Sequence, residues 1–362
     1  MTLAIAKIRV YILIFFAFLF YPIFTVLAFL RLRDDGRKKN PRILIIPQFT
    51  RIGDLICATP IFREIKKKYP NSYLAVVVTP KIAGIIKNNP RIDEIIIFED
   101  RDYLEFFGLC RLFKKIRDEK FDWSICVSAD TMGTILSVYG LIPNRIKIIR
   151  QERNFSEILS DWMNNFLIYY KNGEYIPQLY LKTIKFFGIE SDDIKKEVFT
   201  SKVGDEKAEK FLKEKNINTN DLVIGIGATA GNKIKEWPME RFKKLAKRLT
   251  EVYKAKIIFI DPKDFSLEEF PSLMKRLNLF IAADSGPIHI AHALNVPLID
   301  IIGPVDPADQ APQCEKCVII KPSETIKPTI FAMRPAGDEK ETRRAVESIS
   351  TDMVYKAVKS LL

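Results

Sequence analysis

Each of three short stretches that carry the residue types chemistry needs follows an apolar run. The first is Arg51-Ile-Gly53-Asp54, with Thr59-Pro60 just beyond it. The second is Gly227-Ala-Thr-Ala-Gly231-Asn-Lys233-Ile-Lys235-Glu-Trp237-Pro238, and the third is Asp284-Ser285-Gly286-Pro287-Ile-His289. A carboxylate beside a glycine at a strand end can act as a general base, because Gly53 permits close backbone approach and Asp54 can take a proton. A glycine-bearing loop with lysines suits contact with phosphate through N–H and ammonium groups. A strand that turns into a helix at Asp284-Ser285-Gly286 offers an anion its free N–H groups and the positive end of the helix dipole. The same residue types also cap helices that bind nothing, so each stretch alone leaves cap and ligand seat both open.

The elements that must position these residues alternate. Apolar or β-branched runs at 42–49, 73–79, 94–99, 123–128 and 145–149 read as strands, with helical segments at 53–69, 82–87, 103–119 and 133–141 between them. Residues 155–216 read as helices without a strand (155–170, 176–187, 205–215), and Trp162, Phe166 and Tyr170 recur at a spacing that suggests the core stripe of one of them. A second alternating series runs through strands at 222–228, 256–260, 279–283 and 297–302 and helices at 239–253, 267–277 and 286–294, and an amphipathic helix at 351–362 closes the chain. Such alternation predicts parallel sheets with helices on both faces, built as two Rossmann-like halves. A dinucleotide fingerprint, Gly-x-Gly-x-x-Gly, is missing after the first strand, which argues against an oxidoreductase.

The chain has 362 residues, enough for two domains, with 48% hydrophobic residues and a net charge of +12. Val10 to Leu30 contains no charge and reads as one membrane helix, spanning or monotopic, with Pro22 as a possible kink. Lys7 and Arg9 precede this run, and a larger basic cluster of Arg31, Arg33, Arg37, Lys38, Lys39 and Arg42 follows it, which puts the body on the cytoplasmic side of the inner membrane. Anionic lipid explains the positive charge, and no nucleic-acid motif is present. Cys57, Cys110, Cys126, Cys314 and Cys317 form no disulfide framework, as expected in a reducing compartment. Cys314 and Cys317 have zinc-like spacing but lack a second pair.

Taken together and in this order, Arg51-Ile-Gly-Asp54 with Thr59-Pro60, Lys235-Glu-Trp237-Pro238-Met-Glu-Arg241-Phe242, and Asp284-Ser285-Gly286-Pro287-Ile-His289 running on to Gly303-Pro304-Val-Asp306-Pro307 resemble the heptosyltransferases of glycosyltransferase family 9. The resemblance spans nearly everything from Pro41 onward. It implies a GT-B fold of two Rossmann-like domains facing a cleft, with an N-terminal acceptor domain at 41–200 and a donor domain at 201–350, flanked by an anchor and linker at 1–40 and a helix at 351–362. It implies inverting, metal-independent transfer of a heptose-like sugar, with no cofactor, from a nucleotide diphosphate sugar to a cell-envelope glycan or lipid-linked acceptor. By the same resemblance Asp54 is the catalytic base. Lys235, Asp284, Ser285, Gly286 and His289 hold the donor, and Arg51, Gly53 and Thr59 line the acceptor side. His292 is read as packing. The second domain is shortened: relatives have a helix and strand where this chain has only Pro262-Lys-Asp-Phe265. That loss leaves an alternative, a catalytically impaired relative acting as a binding or scaffold module at the membrane.

Overall fold

The computed structural model describes residues 2–30, 39–99, 105, 108–322, 326, 328, 330 and 339–362, with side chains from residue 8 onward. Most of the basic cluster (Arg31, Arg33, Arg37, Lys38) and the start of the helix expected at 103–119 lie outside the described residues.

The single N-terminal helix expected from the apolar run is instead a pair, α1 (Thr2–Leu19) and α2 (Tyr21–Leu30), broken at Phe20 just ahead of Pro22. The two are bent by 69°, and no single described helix is long and apolar enough to cross a membrane. Proline at the second position of α2 has no N–H to continue the α1 hydrogen-bond ladder, which accounts for a break there.

Strands β1 (Arg42–Ile46), β2 (Tyr73–Val78), β3 (Glu94–Ile97), β4 (Trp123–Cys126), β5 (Asn144–Ile149) and β6 (Phe166–Tyr169) form one parallel sheet in the order β3-β2-β1-β4-β5-β6. Their near-continuous burial is what a parallel sheet covered on both faces requires. The connecting helices are α3 (Ile52–Cys57), α4 (Thr59–Lys68), α5 (Pro80–Ala83), α6 (Gly108–Asp118), α7 (Met132–Tyr139), α8 (Phe155–Trp162) and α9 (Ile176–Leu181). The helix expected over 53–69 divides at Ala58, where Pro60 opens the second piece as a proline in a first turn commonly does.

Residues 155–170 depart from expectation. The chain leaves α8 at Trp162 and enters β6, whose Phe166–Tyr169 pairs in register with Ile146–Ile149 of β5. The four-residue stripe therefore crosses two elements: Trp162 is 76% exposed while Tyr170 is buried.

After α10 (Lys202–Glu214), strands β7 (Val223–Gly227), β8 (Lys256–Phe259), β9 (Leu279–Ala283), β10 (Leu298–Ile301) and β11 (Cys317–Ile320) make a second parallel sheet, ordered β11-β10-β9-β7-β8. Helices α11 (Met239–Tyr253), α12 (Phe270–Met274), α13 (Gly286–Ala293), α14 (Pro307–Gln310), α15 (Glu339–Ser348) and α16 (Thr351–Leu361) complete it. Neither β11 nor α15 was expected. Between β8 and β9 the described chain carries only the five-residue α12.

Both sheets are doubly wound, and in such sheets ligands bind beyond the strand ends where the order reverses. In the first sheet that point lies between β1 and β4, and in the second between β7 and β9. One apolar core cluster joins the two halves, running from Ile43 and Ile61 to Phe280 and Ile288. Within it α3 lies against α13.

Candidate active site

The reversal points bring the three sequence stretches together. Asp54 follows β1, Lys235 follows β7, and Asp284 follows β9. β7 and β9 are hydrogen-bonded neighbours, so their two loops emerge side by side. Lys235 Nζ accordingly donates to Asp284 Oδ2 at 2.8 Å.

Ser285 occupies the N-cap position of α13, but its side chain makes no cap bond, and its buried Oγ has no partner among the described residues. Asp284 is engaged by Lys235. Ahead of α3 the N-cap position belongs to Arg51, again with no side-chain cap bond. Asp54 Oδ1 accepts from Gln310 Nε2 at 3.0 Å and from Tyr180 Oη at 3.4 Å. None of these polar groups caps its helix, which is the arrangement expected of groups kept for a ligand.

Asp54 is 6% exposed. Burial raises its pKa, because ionisation in a low-dielectric site is penalised. The Arg51 charge, the bonds from Gln310 and Tyr180, and the Lys235 charge oppose that shift. Among the described residues no hydrogen bond reaches Oδ2, so one carboxylate oxygen is held in place and the other is left to accept a proton. Arg51 itself is exposed.

The glycines set the distance between the halves. A Cβ on Gly53 would lie 2.7 Å from His289 Cδ2, and a Cβ on Gly286 would lie 2.9 Å from Ile52 Cβ. The two helices thus touch through reciprocal glycine contacts that no other residue fits without a shift.

Two residues assigned by sequence to ligand contact face inward. His289 is 3% exposed, its Nδ1 3.0 Å from Lys196 Nζ, and Cys57 Sγ lies 4.0 Å from the same nitrogen. Burial first, then the Lys196 charge, holds its pKa well below the usual histidine range. Thr59 is buried, its hydroxyl donating to the Ile56 carbonyl at 2.7 Å and accepting from Glu197 N at 2.9 Å. Both residues fasten the connection between the halves. His292 is half-buried, and burial pushes its pKa down to about 4.

Several residues with a part in the site gave no local signal. Gln310 reaches Asp54 because α14 leaves the second sheet and crosses to the first half. Its neighbour Asp309 accepts there from Tyr170 Oη at 2.9 Å and from Gly173 N at 3.0 Å. Lys196 lies in the charged run Asp192-Asp193-Ile-Lys195-Lys196-Glu197, which by composition reads as a solvated loop, yet it is 1% exposed and burial lowers its pKa. Asp300 sits in mid-strand on β10 with both carboxylate oxygens buried and without partners among the described residues. Burial, and then the Asp284 charge, raises its pKa well above the usual carboxylate range.

The cysteine reading needs one correction: Cys314 and Cys317 are joined by a disulfide. Their approach follows from the tight three-residue turn that leads into β11. Among the described residues His292, Cys314 and Cys317 form the one cluster of metal-ligand residue types, with ligand atoms within 4.8 Å of one another, but in the disulfide the two sulfurs are not thiolate ligands.

Comparison with known proteins agrees with the geometry. The family model for glycosyltransferase family 9 (heptosyltransferase) matches residues 254–333. Lipopolysaccharide heptosyltransferase 1 of Campylobacter coli is 25% identical over 303 residues, covering 72% of this chain and 83% of that protein. Lipooligosaccharide heptosyltransferase 2 of Haemophilus influenzae is 24% identical over 345 residues, covering 86% of this chain and 96% of that protein. Among solved structures, the family 9 glycosyltransferase from Veillonella parvula DSM 2008 superposes with a TM-score of 0.71 at 21% identity, covering 89% of this chain and 97% of that one. Escherichia coli ADP-heptose lipopolysaccharide heptosyltransferase II gives a TM-score of 0.67 at 14% identity, covering 88% and 98%. The fold is therefore that of the GT-B heptosyltransferases. With family model, relatives and fold in agreement, the chain is a glycosyltransferase similar to the heptosyltransferases of family 9.

Proposed function

We propose that the protein transfers a heptose from a nucleotide diphosphate donor, ADP-heptose first among candidates, to a lipopolysaccharide core acceptor at the cytoplasmic face of the inner membrane, with inversion at the anomeric carbon. The observation that carries this reading is the convergence of Asp54 with the Lys235–Asp284 pair at the two reversal points. Asp54 takes the proton of an acceptor hydroxyl, whose oxygen then attacks the anomeric carbon from the face opposite the diphosphate. The anomeric C–O bond breaks, and the electron pair leaves on the diphosphate. Lys235, the Ser285 hydroxyl and the free N–H groups of α13 stabilise that developing charge. The apolar N-terminus supports residence beside a lipid-linked acceptor, and the basic flanks support a cytoplasmic orientation.

The test is acceptor-dependent ADP release and heptose incorporation by purified protein, with Lys235→Ala as a donor-site control. Transfer that disappears with the acceptor and weakens in the control supports the reading. Absence of transfer across a panel of nucleotide sugars and truncated core acceptors would refute it. The short β8–β9 connection favours one alternative, a relative that binds without turnover. That case is recognised by nucleotide binding without acceptor-dependent release.

A further inference from the structure

The two N-terminal helices are fastened to the first half of the molecule along their length. Ile14 and Ala17 of α1 are 1% and 0% exposed and belong to the core cluster that contains Met132, Leu136 and Met163. Tyr139 Oη donates to the Leu13 carbonyl at 3.1 Å, and the Phe24 ring meets Tyr139 edge-on at 5.1 Å. Arg145 Nη2 donates to Tyr21 Oη at 2.8 Å. A crossing segment would have to pull all of these groups out of the body. It would also be too short: the apolar part of α1, Ile8–Leu19, rises about 18 Å and α2 about 15 Å, against a hydrocarbon core of about 30 Å. With 69° between them, the lengths do not add along one axis.

The outer surface of the pair is apolar. Phe15 is 57% exposed, Phe29 70% and Leu30 75%. Helix α8, which packs beside α1, adds further exposed rings. There Phe155, 72% exposed, and Trp162, 76% exposed, stand two helical turns apart on the solvent side, while Ser156, Ser160 and Asp161 face inward. Single exposed hydrophobic residues are ordinary, but this many exposed rings and aliphatic side chains on helices packed side by side make a binding surface. Cations bracket it in sequence: Lys7 and Arg9 come before, and Arg31, Arg33, Arg37, Lys38 and Lys39 come after, against Asp34 and Asp35.

We infer that α1, α2 and α8 form one monotopic docking face for an anionic lipid leaflet, entering its headgroup and upper acyl region without crossing it. This rests on the membrane residence proposed above, and it adds a topology and a second contributing element, α8. The chemistry suits the partner: aromatic rings prefer the headgroup boundary, and the basic residues that flank the pair in sequence are the type that meets anionic headgroups.

Purified full-length protein, exchanged from mild detergent onto sealed vesicles of phosphatidylcholine with and without phosphatidylglycerol, tests the inference. Four results are expected. The protein floats with anionic vesicles more than with neutral ones. Brominated acyl chains quench a part of the tryptophan emission that is absent in Trp162→Phe. The double variant Phe155→Ser with Trp162→Ser lowers the bound fraction about tenfold, since each ring contributes its own apolar area. A protease-sensitive tag at the N-terminus is cut from the same side as the body. A tag protected while the body is digested would overturn the inference in favour of a spanning segment. So would Trp162 emission unchanged by brominated lipid, or a stable soluble dimer that ignores vesicles, which would assign the face to a second copy. None of these readouts needs a donor or acceptor. Failure of transfer leaves them standing, and failure of flotation leaves the transfer assay standing.

Discussion

At the end of β1, Gly53 and Asp54 open a short helix; at the end of β9, Asp284, Ser285 and Gly286 open another, and the two helices lie against each other through their glycines. Backbone form is shared, but the carboxylates are treated differently. Asp54 is buried and hydrogen-bonded by two neutral groups, Tyr180 and Gln310. Asp284 is bonded directly to the ammonium group of Lys235. A buried carboxylate whose hydrogen bonds come from neutral side chains retains affinity for a proton against the nearby Arg51 and Lys235 charges, which suits a base. A carboxylate bonded to a lysine holds that lysine in position for an arriving diphosphate, which must then share it. In the function proposed above, two like turns divide proton transfer from charge stabilisation through their different side-chain partners.

The severest test of this division is Asp54→Asn. It should lower the transfer rate by about 10²–10⁴-fold, the usual size of a general-base contribution. Thermal stability should hold or rise, because the variant removes a buried carboxylate. Retained activity in a steady-state assay would end the assignment.

Next in size are the glycine contacts. Gly53→Ala and Gly286→Ala should each cost about 1–3 kcal/mol in denaturant unfolding, the range for an added methyl in a packed site. Adding His289→Ala should recover part of the loss for Gly53→Ala and none for Gly286→Ala, whose Cβ meets Ile52 instead. Equal rescue of both would mean that the helices do not meet as described.

The smallest effect is in pH. A raised folded-state pKa on Asp54 means that the folded protein binds the proton more tightly than the unfolded chain. Stability owed to this group is present in full below the ordinary aspartate range and is lost as pH rises through the raised pKa. The stability advantage of Asp54→Asn over wild type should therefore grow across that window and vanish at its acid end, as read by chemical denaturation at a series of pH values. A pH-independent difference would place Asp54 in solvent.

Much of this frame is legible in the sequence because buried parallel strands are short unbroken apolar runs, and because turns after them carry glycine and aspartate. The misreadings have local causes. Trp162, Phe166 and Tyr170 imitate a helical stripe, while Asn164-Asn165, a turn signal between α8 and β6, is masked by the aromatic residues around it. At the site, Asp54, Lys235 and Asp284 stand out because each follows a strand. Gln310, Tyr180, Lys196 and Asp300 do not, since their relation to the site arises only when the halves pack. Lys196 shows the difficulty best: nothing in a run of alternating charges says which lysine is pressed against a histidine from the other half. The inward placement of His289 and Thr59 has the same origin, as helix positions give a face but not what lies against it.

Arg145 gives the apolar N-terminus a further meaning. Its guanidinium is buried, and among the described residues no carboxylate meets it; its donors go to the Met163 and Ile142 carbonyls and to the Tyr21 hydroxyl. Trimming α1 and α2, a routine step toward a tractable protein, would strip that cation of a partner and unroof the core that Ile14 and Ala17 cover. A shortened protein that aggregates would then be reporting a damaged interior, and its behaviour would say nothing about whether the missing helices had touched lipid.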